Sequence, residues 1–162
     1  IHKFLKPVFV VLVLAANQAL GQWQGTGDEL AAQLKTALEQ YNKHDEDEES
    51  RNEFLGEFWI KKGLVTPSLA AGLKHGGNFE ADPFLLAQDV VPGIFTKSVE
   101  MGEEVARIEV GMKQYSPGDP PIMMTYILTK EDGGWKIDDI DYADSKMNGE
   151  SMGMTTLKDA LK

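Results

Sequence analysis

The sequence predicts an α+β fold in which a curved antiparallel sheet of about four strands wraps around a long N-terminal helix, giving a cone-like shape. Three observations support this class. Apolar residues recur at helical spacing in the first half of the chain, the apolar period changes to two after Pro92, and turn sequences separate the later segments. Helices that precede strands, instead of alternating with them, are typical of antiparallel sheets.

The long first helix is predicted over residues 27–43. Its apolar side chains recur every three or four positions and therefore share one face; they are Leu30, Leu34, Leu38 and Tyr41. An acidic run over residues 45–49 follows. We expect a solvated loop there, because the run lacks the alternating ligands and the central glycine of a calcium-binding loop.

Three shorter helices are predicted over residues 53–62, 67–75 and 82–89. The first of them carries apolar residues at helical spacing, namely Phe54, Leu55, Phe58 and Trp59. Each of the other two begins with a capping residue followed by proline at the first helical position. These pairs are Thr66-Pro67 and Asp82-Pro83.

Four strands follow, and alternating apolar residues place them over 94–101, 104–114, 121–130 and 134–142. A closing helix is predicted over 154–161. The alternation slips at Asp138-Asp139 in the last strand, and a β-bulge there brings the apolar side chains on both sides of it to one face. Those side chains are Trp135, Ile137, Ile140 and Tyr142.

The N-terminal segment over residues 1–21 has the pattern of a cleavable secretory signal. A basic start is followed by the apolar run Val8 to Ala16, and then by small residues at Ala19 and Gly21. The apolar run is shorter than the ~20 residues of a membrane span. We therefore expect a single mature domain over residues 22–162, periplasmic or secreted, without membrane attachment after cleavage. An uncleaved anchor or a buried strand is the alternative.

The composition narrows the classes of function. The 162 residues contain 16 Lys+Arg against 26 Asp+Glu, a formal net charge of −10, which argues against a nucleic-acid partner. The chain has no cysteine, so disulfides, cysteine nucleophiles and thiolate metal sites are excluded. His44 and His75 lie at the ends of separate predicted helices, and we expect no metal site, no cofactor and no catalytic residue that the sequence alone identifies.

Gln88, Asp89 and Tyr126 are the candidate ligand-binding residues. Gln88 and Asp89 end a short predicted helix without an evident capping role, and that helix is expected to lie over the open end of the cone. Tyr126 is the expected hydrogen-bond donor to Asp89, so that the three side chains form the polar end of a ligand site. Alternatively, Asp89 accepts backbone N–H groups of the loop over 90–93 and only stabilises the connection. The carboxylates at Asp138-Asp139 are either part of an exposed bulge or an acid–base pair.

Three segments of the chain resemble an exported bacterial family, the domain-of-unknown-function family numbered 3828. They are Leu64 to Leu69 (LVTPSL), Asp82 to Asp89 (DPFLLAQD) and Trp135 to Ile140 (WKIDDI). The resemblance covers most of residues 27–162 in the same order. It implies the nuclear-transport-factor-2-like (cystatin-like) superfold, a curved antiparallel sheet wrapped around helices, and it carries no assigned activity.

These observations predict an exported cell-envelope domain that binds a small molecule or a protein partner without catalysis. The acidic charge favours a basic protein partner, and an immunity or inhibitor protein is one such case. The alternative is a small isomerase- or hydratase-type enzyme that uses a buried Asp beside a tyrosine hydroxyl in the cone. The sequence predicts no particular oligomeric state. A deep pocket with a perturbed ionisable group favours the enzyme, whereas a filled interior favours the binding protein.

Overall fold

The computed structural model describes residues 23–162, and a four-stranded antiparallel sheet with the order β1-β2-β3-β4 forms its centre. Each strand is paired with its sequence neighbour. The strands are β1 (Ile94–Met101), β2 (Val105–Met112), β3 (Ile122–Glu131) and β4 (Gly134–Asp141). The predicted α+β class is confirmed, whereas the closure of the sheet into a cone stays a prediction. The predicted signal segment over 1–21 lies outside the described residues.

The first helix, α1 (Gly27–His44), lies against β1 and confirms the predicted apolar face. Its buried residues are Leu30, Ala31, Leu34, Ala37, Leu38 and Tyr41. Asp28 and Glu29 stand in its first turn and Lys43 and His44 in its last, which suits the helix dipole. Within residues 23–162, no helix combines the length and the apolar character that a membrane span requires.

The region after α1 differs from the prediction of a loop followed by one helix over 53–62. A 3₁₀-helix (Glu48–Asn52) follows the first part of the acidic run, and a separate short helix, α2 (Glu57–Lys61), comes after it. Gly56 precedes α2 with a φ of 84°, a left-handed conformation that glycine adopts without strain. A side chain there would also lie only 2.6 Å from Leu73 Cδ1. The left-handed backbone at Gly56, packed against Leu73, therefore lies between the 3₁₀-helix and α2.

The third helix, α3 (Pro67–His75), has the predicted bounds, and the Thr66 hydroxyl accepts the Leu69 N–H at 3.2 Å as its N-cap. The predicted helix over 82–89 is wrong. Asp82 and Ala87 pair as an isolated antiparallel bridge, with the Asp82 N–H donated to the Ala87 carbonyl at 2.9 Å. We call residues 82–87 the docked loop.

Burial explains why the docked loop is not helical. Phe84, Leu85 and Leu86 are all buried, although three successive residues of a helix point across about 200° of its circumference. The chain forms one helical turn, in which Leu86 N–H is donated to Asp82 O at 2.7 Å. Leu86 then takes a left-handed φ of 52°, which ends the turn and lets all three apolar side chains enter the core.

The predicted β-bulge in β4 is confirmed. Asp139 pairs with Ile127 and Ile137 pairs with Leu128, so Asp138 is the extra residue between them. All four apolar side chains around the bulge are buried as predicted: Trp135, Ile137, Ile140 and Tyr142.

The two aspartates of the bulge tie neighbouring segments to β4. Asp138 Oδ1 accepts the Thr66 hydroxyl and the Lys158 ammonium, each at 2.8 Å. Asp139 Oδ1 accepts the backbone N–H of Lys158 at 3.0 Å. These contacts fix α3 and the C-terminal helix to the sheet, which gives the aspartates a structural role.

The C-terminal region contains a hairpin that the sequence analysis missed. β5 (Lys146–Met147) and β6 (Glu150–Ser151) are joined by Asn148-Gly149, both with positive φ, a frequent two-residue hairpin turn. The last helix, α4 (Leu157–Ala160), is shorter than the predicted 154–161.

The two edge strands of the sheet, β1 and β4, differ in how their free sides are protected. Isolated bridges with Trp23, Val65 and Thr156 cover the free side of β4. In β1 the pairing register shifts between Thr96 and Ser98, which leaves Lys97 as a bulge in the edge strand.

Candidate functional site

Three tyrosine hydroxyls from different parts of the fold hold the docked loop. Tyr126 on β3 donates to the Phe84 carbonyl at 2.5 Å, and Tyr142, just after β4, donates to the Pro83 carbonyl at 2.5 Å. Tyr41 on α1 donates to Asp82 Oδ2. Burial raises the pKa of all three tyrosines well above the usual range, so they remain neutral donors.

The docked loop separates two concave sites on the surface. One is a mainly apolar cavity of about 270 Å³, which borders the loop at Leu85, Leu86 and Ala87. The other is an acidic cleft of about 280 Å³ beside the end of α1, and it reaches the loop at Asp82. Because Asp82 and Ala87 are bonded to each other across the loop, the two sites are neighbours.

The structure brings Gln88 and Asp89 together but not Tyr126. Gln88 and Asp89 are exposed, and both border the apolar cavity. Tyr126 is fully buried, and its hydroxyl is donated to Phe84 rather than to Asp89. A ligand role for Gln88 and Asp89 stays a prediction.

The apolar cavity has a buried wall and an exposed rim. Its wall includes Val91, Met112 and Ile122, which belong to the core. At its rim, Tyr115 is 68% exposed and Met147 is 40% exposed. The Tyr115 hydroxyl donates to the Val90 carbonyl at 2.7 Å, which fixes this exposed ring beside the opening.

The acidic cleft combines carboxylates with aromatic rings. Its lining carboxylates are Asp45, Glu53, Glu57 and Asp82, and its aromatic side chains are Tyr41, Phe54 and Phe58. Phe54 is 44% exposed although it is a large apolar residue. A concave surface of this composition is suited to a cation, which gains from both the carboxylates and the faces of the rings.

Two of the four carboxylates have basic neighbours within the chain. His44 Nε2 lies 2.8 Å from Glu53 Oε2, and the His44 ring packs 5.2 Å from the Phe58 ring, centroid to centroid. Lys61 Nζ lies 3.6 Å from Glu57 Oε1. Within the described part of the chain, no group of three His, Cys, Asp or Glu side chains is arranged to hold a metal ion.

Asp82 is the carboxyl group lining the cleft whose pKa is raised most strongly. Its pKa is raised from 3.8 to about 7, chiefly by burial and also by the nearby charge of Asp45. Two hydrogen bonds act in the opposite direction: one from the Tyr41 hydroxyl and one from the Phe84 N–H to Oδ1 at 2.8 Å. Burial also raises the pKa of Asp45.

Sequence reasoning missed Asp82 as a site residue because it treated this residue as a helix cap. Asp82 does accept a backbone N–H two residues ahead, but no helix follows. Its contact with Tyr41 joins positions 41 residues apart. No local pattern indicates that contact.

Comparison with known proteins gives one structural similarity. No protein-family model and no curated protein sequence matches the chain. A chain in the crystal structure of the type VI native effector–immunity complex Tae3–Tai3 from Ralstonia pickettii is similar to it, with 23% identity and a TM-score of 0.48. The similarity covers 65% of this chain and 89% of the other.

Proposed function

We propose that the chain is a noncatalytic binding protein of the cell envelope, and that its acidic cleft receives a cationic group from a basic protein partner. One observation carries this proposal: four carboxylates and three aromatic side chains line a single concave site at the end of α1. Periplasmic or secreted location and membership of the family numbered 3828 are part of the same proposal.

The chemistry of the cleft favours an ammonium or guanidinium group. A cation over an aromatic face gains about 0.5–2 kcal/mol, and hydrogen bonds between charged groups are about twice as strong as neutral ones. The Phe58 ring already makes such a contact with the chain's own Lys62, whose Nζ lies 5.0 Å from the ring centre. The exposed Phe54 ring is the aromatic side chain of the cleft that is open to a partner's cation. A partner's lysine or arginine would add the second kind with Asp45, whose side chain is exposed.

The charge of the whole chain supports the same class of partner. A formal net charge of −10 attracts a basic surface over several ångströms and speeds encounter with it. An immunity or inhibitor protein that covers a basic surface of another protein is one form that this function would take.

The filled interior supports binding rather than turnover of a substrate inside the fold. Tyr126 and Tyr142 are buried between the sheet and the docked loop, and their hydroxyls are both engaged with loop carbonyls. Phe84 packs against Trp59 with ring centroids 5.2 Å apart. The space beneath the docked loop is therefore occupied by the protein's own side chains.

Titration calorimetry with a short arginine-rich peptide tests the proposal. The double variant Asp45→Asn, Glu53→Gln removes two carboxylates of the cleft, and we expect it to weaken binding at least fivefold. The double variant Glu103→Gln, Glu104→Gln makes the same change in net charge at the exposed turn between β1 and β2. If both variants lose affinity equally, the peptide follows the overall charge and the cleft has no special role.

An acid–base enzyme is the second candidate, and the raised pKa of Asp82 beside Tyr41 is the observation that favours it. Both Asp82 oxygens, however, already accept hydrogen bonds from the protein. A general acid or base must direct an oxygen at the substrate. We therefore place binding ahead of catalysis.

A further inference from the structure

We infer that the partner binds through two anchors on either side of the docked loop: a cationic side chain in the acidic cleft and a large apolar side chain in the apolar cavity. This inference rests on the proposed function and adds a second requirement to the partner. The occupant is one protein segment that carries a lysine or arginine close to a leucine, methionine or aromatic residue.

The spacing of the two sites supports a single segment. Asp82 borders the acidic cleft, Ala87 borders the apolar cavity, and the two residues are joined by a 2.9 Å backbone hydrogen bond. Residues paired in an antiparallel bridge have Cα atoms about 5 Å apart. A few residues of an extended partner segment, at about 3.3 Å each, therefore cross from one site to the other.

The docked loop between the two sites is held in place by hydrogen bonds within the chain. Tyr41, Tyr126 and Tyr142 bind it from three parts of the fold. Beyond its end, the Asn42 side chain bonds both the N–H and the carbonyl of Val91, each at 2.9 Å. Ordering a loop on binding costs free energy, and this cost is small for the docked loop because it is already fixed.

The apolar cavity has the size and lining for one large apolar side chain. Its volume of about 270 Å³ exceeds the roughly 150 Å³ of an engineered apolar cavity that accepts benzene. Exposed apolar residues also concentrate at the two sites. In the described part of the chain five large apolar side chains are exposed, and three of them border these sites: Phe54, Tyr115 and Met147.

The rim of the apolar cavity supplies polar contacts for the backbone of such a segment. Gln88, Asp89 and Lys113 lie there with their side chains exposed. A buried apolar centre with a polar rim, next to a charged site, is the usual arrangement of a protein–protein interface. The inference thus gives Gln88 and Asp89 a role in binding a protein rather than a small ligand.

Three peptides of equal length test the two-anchor inference on the full chain by titration calorimetry. The first contains arginine and phenylalanine separated by one to four residues, the second replaces phenylalanine with glycine, and the third replaces arginine with glycine. We expect at least one spacing of the first peptide to bind tenfold more tightly than either of the others. That result would show that the cationic anchor and the apolar anchor each contribute to the affinity.

Variants of the apolar cavity show where the second anchor binds. Ala87→Leu fills part of the cavity, and Met147→Glu places a charge at its rim on β5. We expect either change to lower the affinity for the two-anchor peptide to that of the arginine-only peptide. Thermal melting controls for folding, and Met147→Glu serves if Ala87→Leu does not fold, because Met147 is exposed.

The outcomes separate this inference from the function on which it rests. If the arginine-only peptide binds the cleft and the phenylalanine adds nothing at any spacing, the two-anchor inference is overturned and the proposed function stands. If the arginine-only peptide is insensitive to Asp45→Asn, Glu53→Gln, the proposed function fails. If the phenylalanine adds affinity that Ala87→Leu and Met147→Glu leave intact, the apolar anchor binds elsewhere and the inference is wrong.

Discussion

The Tyr126 hydroxyl reaches across 42 residues of sequence to donate a 2.5 Å hydrogen bond to the Phe84 carbonyl. This bond joins the inner face of β3 to the docked loop, in which Phe84 is completely buried. A buried carbonyl without a partner costs about 1–3 kcal/mol, so the contact fixes the loop position as well as stabilising it. The position of the docked loop between the two surface sites therefore depends on the sheet.

Removal of a buried tyrosine hydroxyl is expected to destabilise the protein. Tyr142→Phe leaves the Pro83 carbonyl without its donor, and we expect a loss of about 1–3 kcal/mol in the free energy of unfolding. The matched control is Tyr115→Phe, which loses a bond to an equivalent loop carbonyl in an exposed position where water replaces it. Urea unfolding of both variants checks this, and equal losses would contradict it.

Asp82 makes stability fall as the pH rises. Its pKa is about 7 in the folded protein and close to 3.8 in the unfolded chain, so between these values the folded state binds more protons. Its contribution is complete below about pH 4 and is lost as the pH passes 7. We expect Asp82→Asn to remove a decline of about 4 kcal/mol between pH 4 and 8, at about 1.4 kcal/mol for each unit of difference between the two pKa values, measured by urea unfolding.

The charge of Asp45 provides a second check on Asp82. Because that charge raises the pKa of Asp82, Asp45→Asn is expected to move the midpoint of the decline to lower pH. A difference between the wild type and Asp82→Asn that stays constant over this range would show that Asp82 does not titrate there.

The bulge aspartate Asp138 is expected to act on stability and not on binding. Asp138→Ala removes the acceptor for the Thr66 hydroxyl and for Lys158, and we expect a loss of about 1–2 kcal/mol. Asp144→Ala serves as the control, since Asp144 is exposed in the turn after β4. If Asp138→Ala instead weakened binding of the arginine-rich peptide without loss of stability, the structural role would be wrong.

Gly111 is required by the ring of Phe95, its partner across β1 and β2. A Cβ atom at Gly111 would lie 2.2 Å from Phe95 Cζ, so Gly111→Ala must displace the ring. Because the Phe95 ring is only partly buried and can move outward, we expect a loss of about 1 kcal/mol, at the low end of the usual cost of overpacking. Gly118→Ala meets no atom within 4 Å and should leave the melting temperature within about one degree.

Export is tested on the protein from the envelope fraction. The basic start, the short apolar run and the small residues Ala19 and Gly21 predict cleavage after Gly21. N-terminal sequencing is expected to begin at Gln22. An intact Ile1 in that fraction would favour the uncleaved anchor.

Periodicity predicted the parts of the fold in which one face is buried. The face of α1 at Leu30, Leu34 and Leu38 was correct, and the slip at Asp138 correctly predicted the bulge. The docked loop was not predicted, because Asp82-Pro83 is a local helix-start signal while the burial of three consecutive side chains is a tertiary effect. In contrast, Asn148-Gly149 is a local sequence signal for a two-residue hairpin turn, so the hairpin of β5 and β6 is predictable from the sequence.

The candidate site was predicted only in part, because several of its contacts are tertiary and leave no local pattern in the sequence. Gln88 and Asp89 do border a cavity, because the residues after an apolar loop return to the surface. The predicted contact of Tyr126 with Asp89 and the predicted role of Asp82 as a helix cap were wrong. Their actual hydrogen-bond partners lie 42 and 41 residues away in the sequence. Such contacts arise from the packing of α1, the loop and the sheet together.

The bulge at Lys97 has a consequence for the protein in concentrated solution. A straight edge strand offers a row of free N–H and C=O groups on which another molecule can add a strand, and this step begins fibre growth. In β1 the pairing register breaks at Lys97, whose charged side chain is exposed in the middle of the strand. An incoming strand would have to follow an irregular backbone and bury an ammonium group, so the addition of a strand from another molecule is disfavoured at this edge.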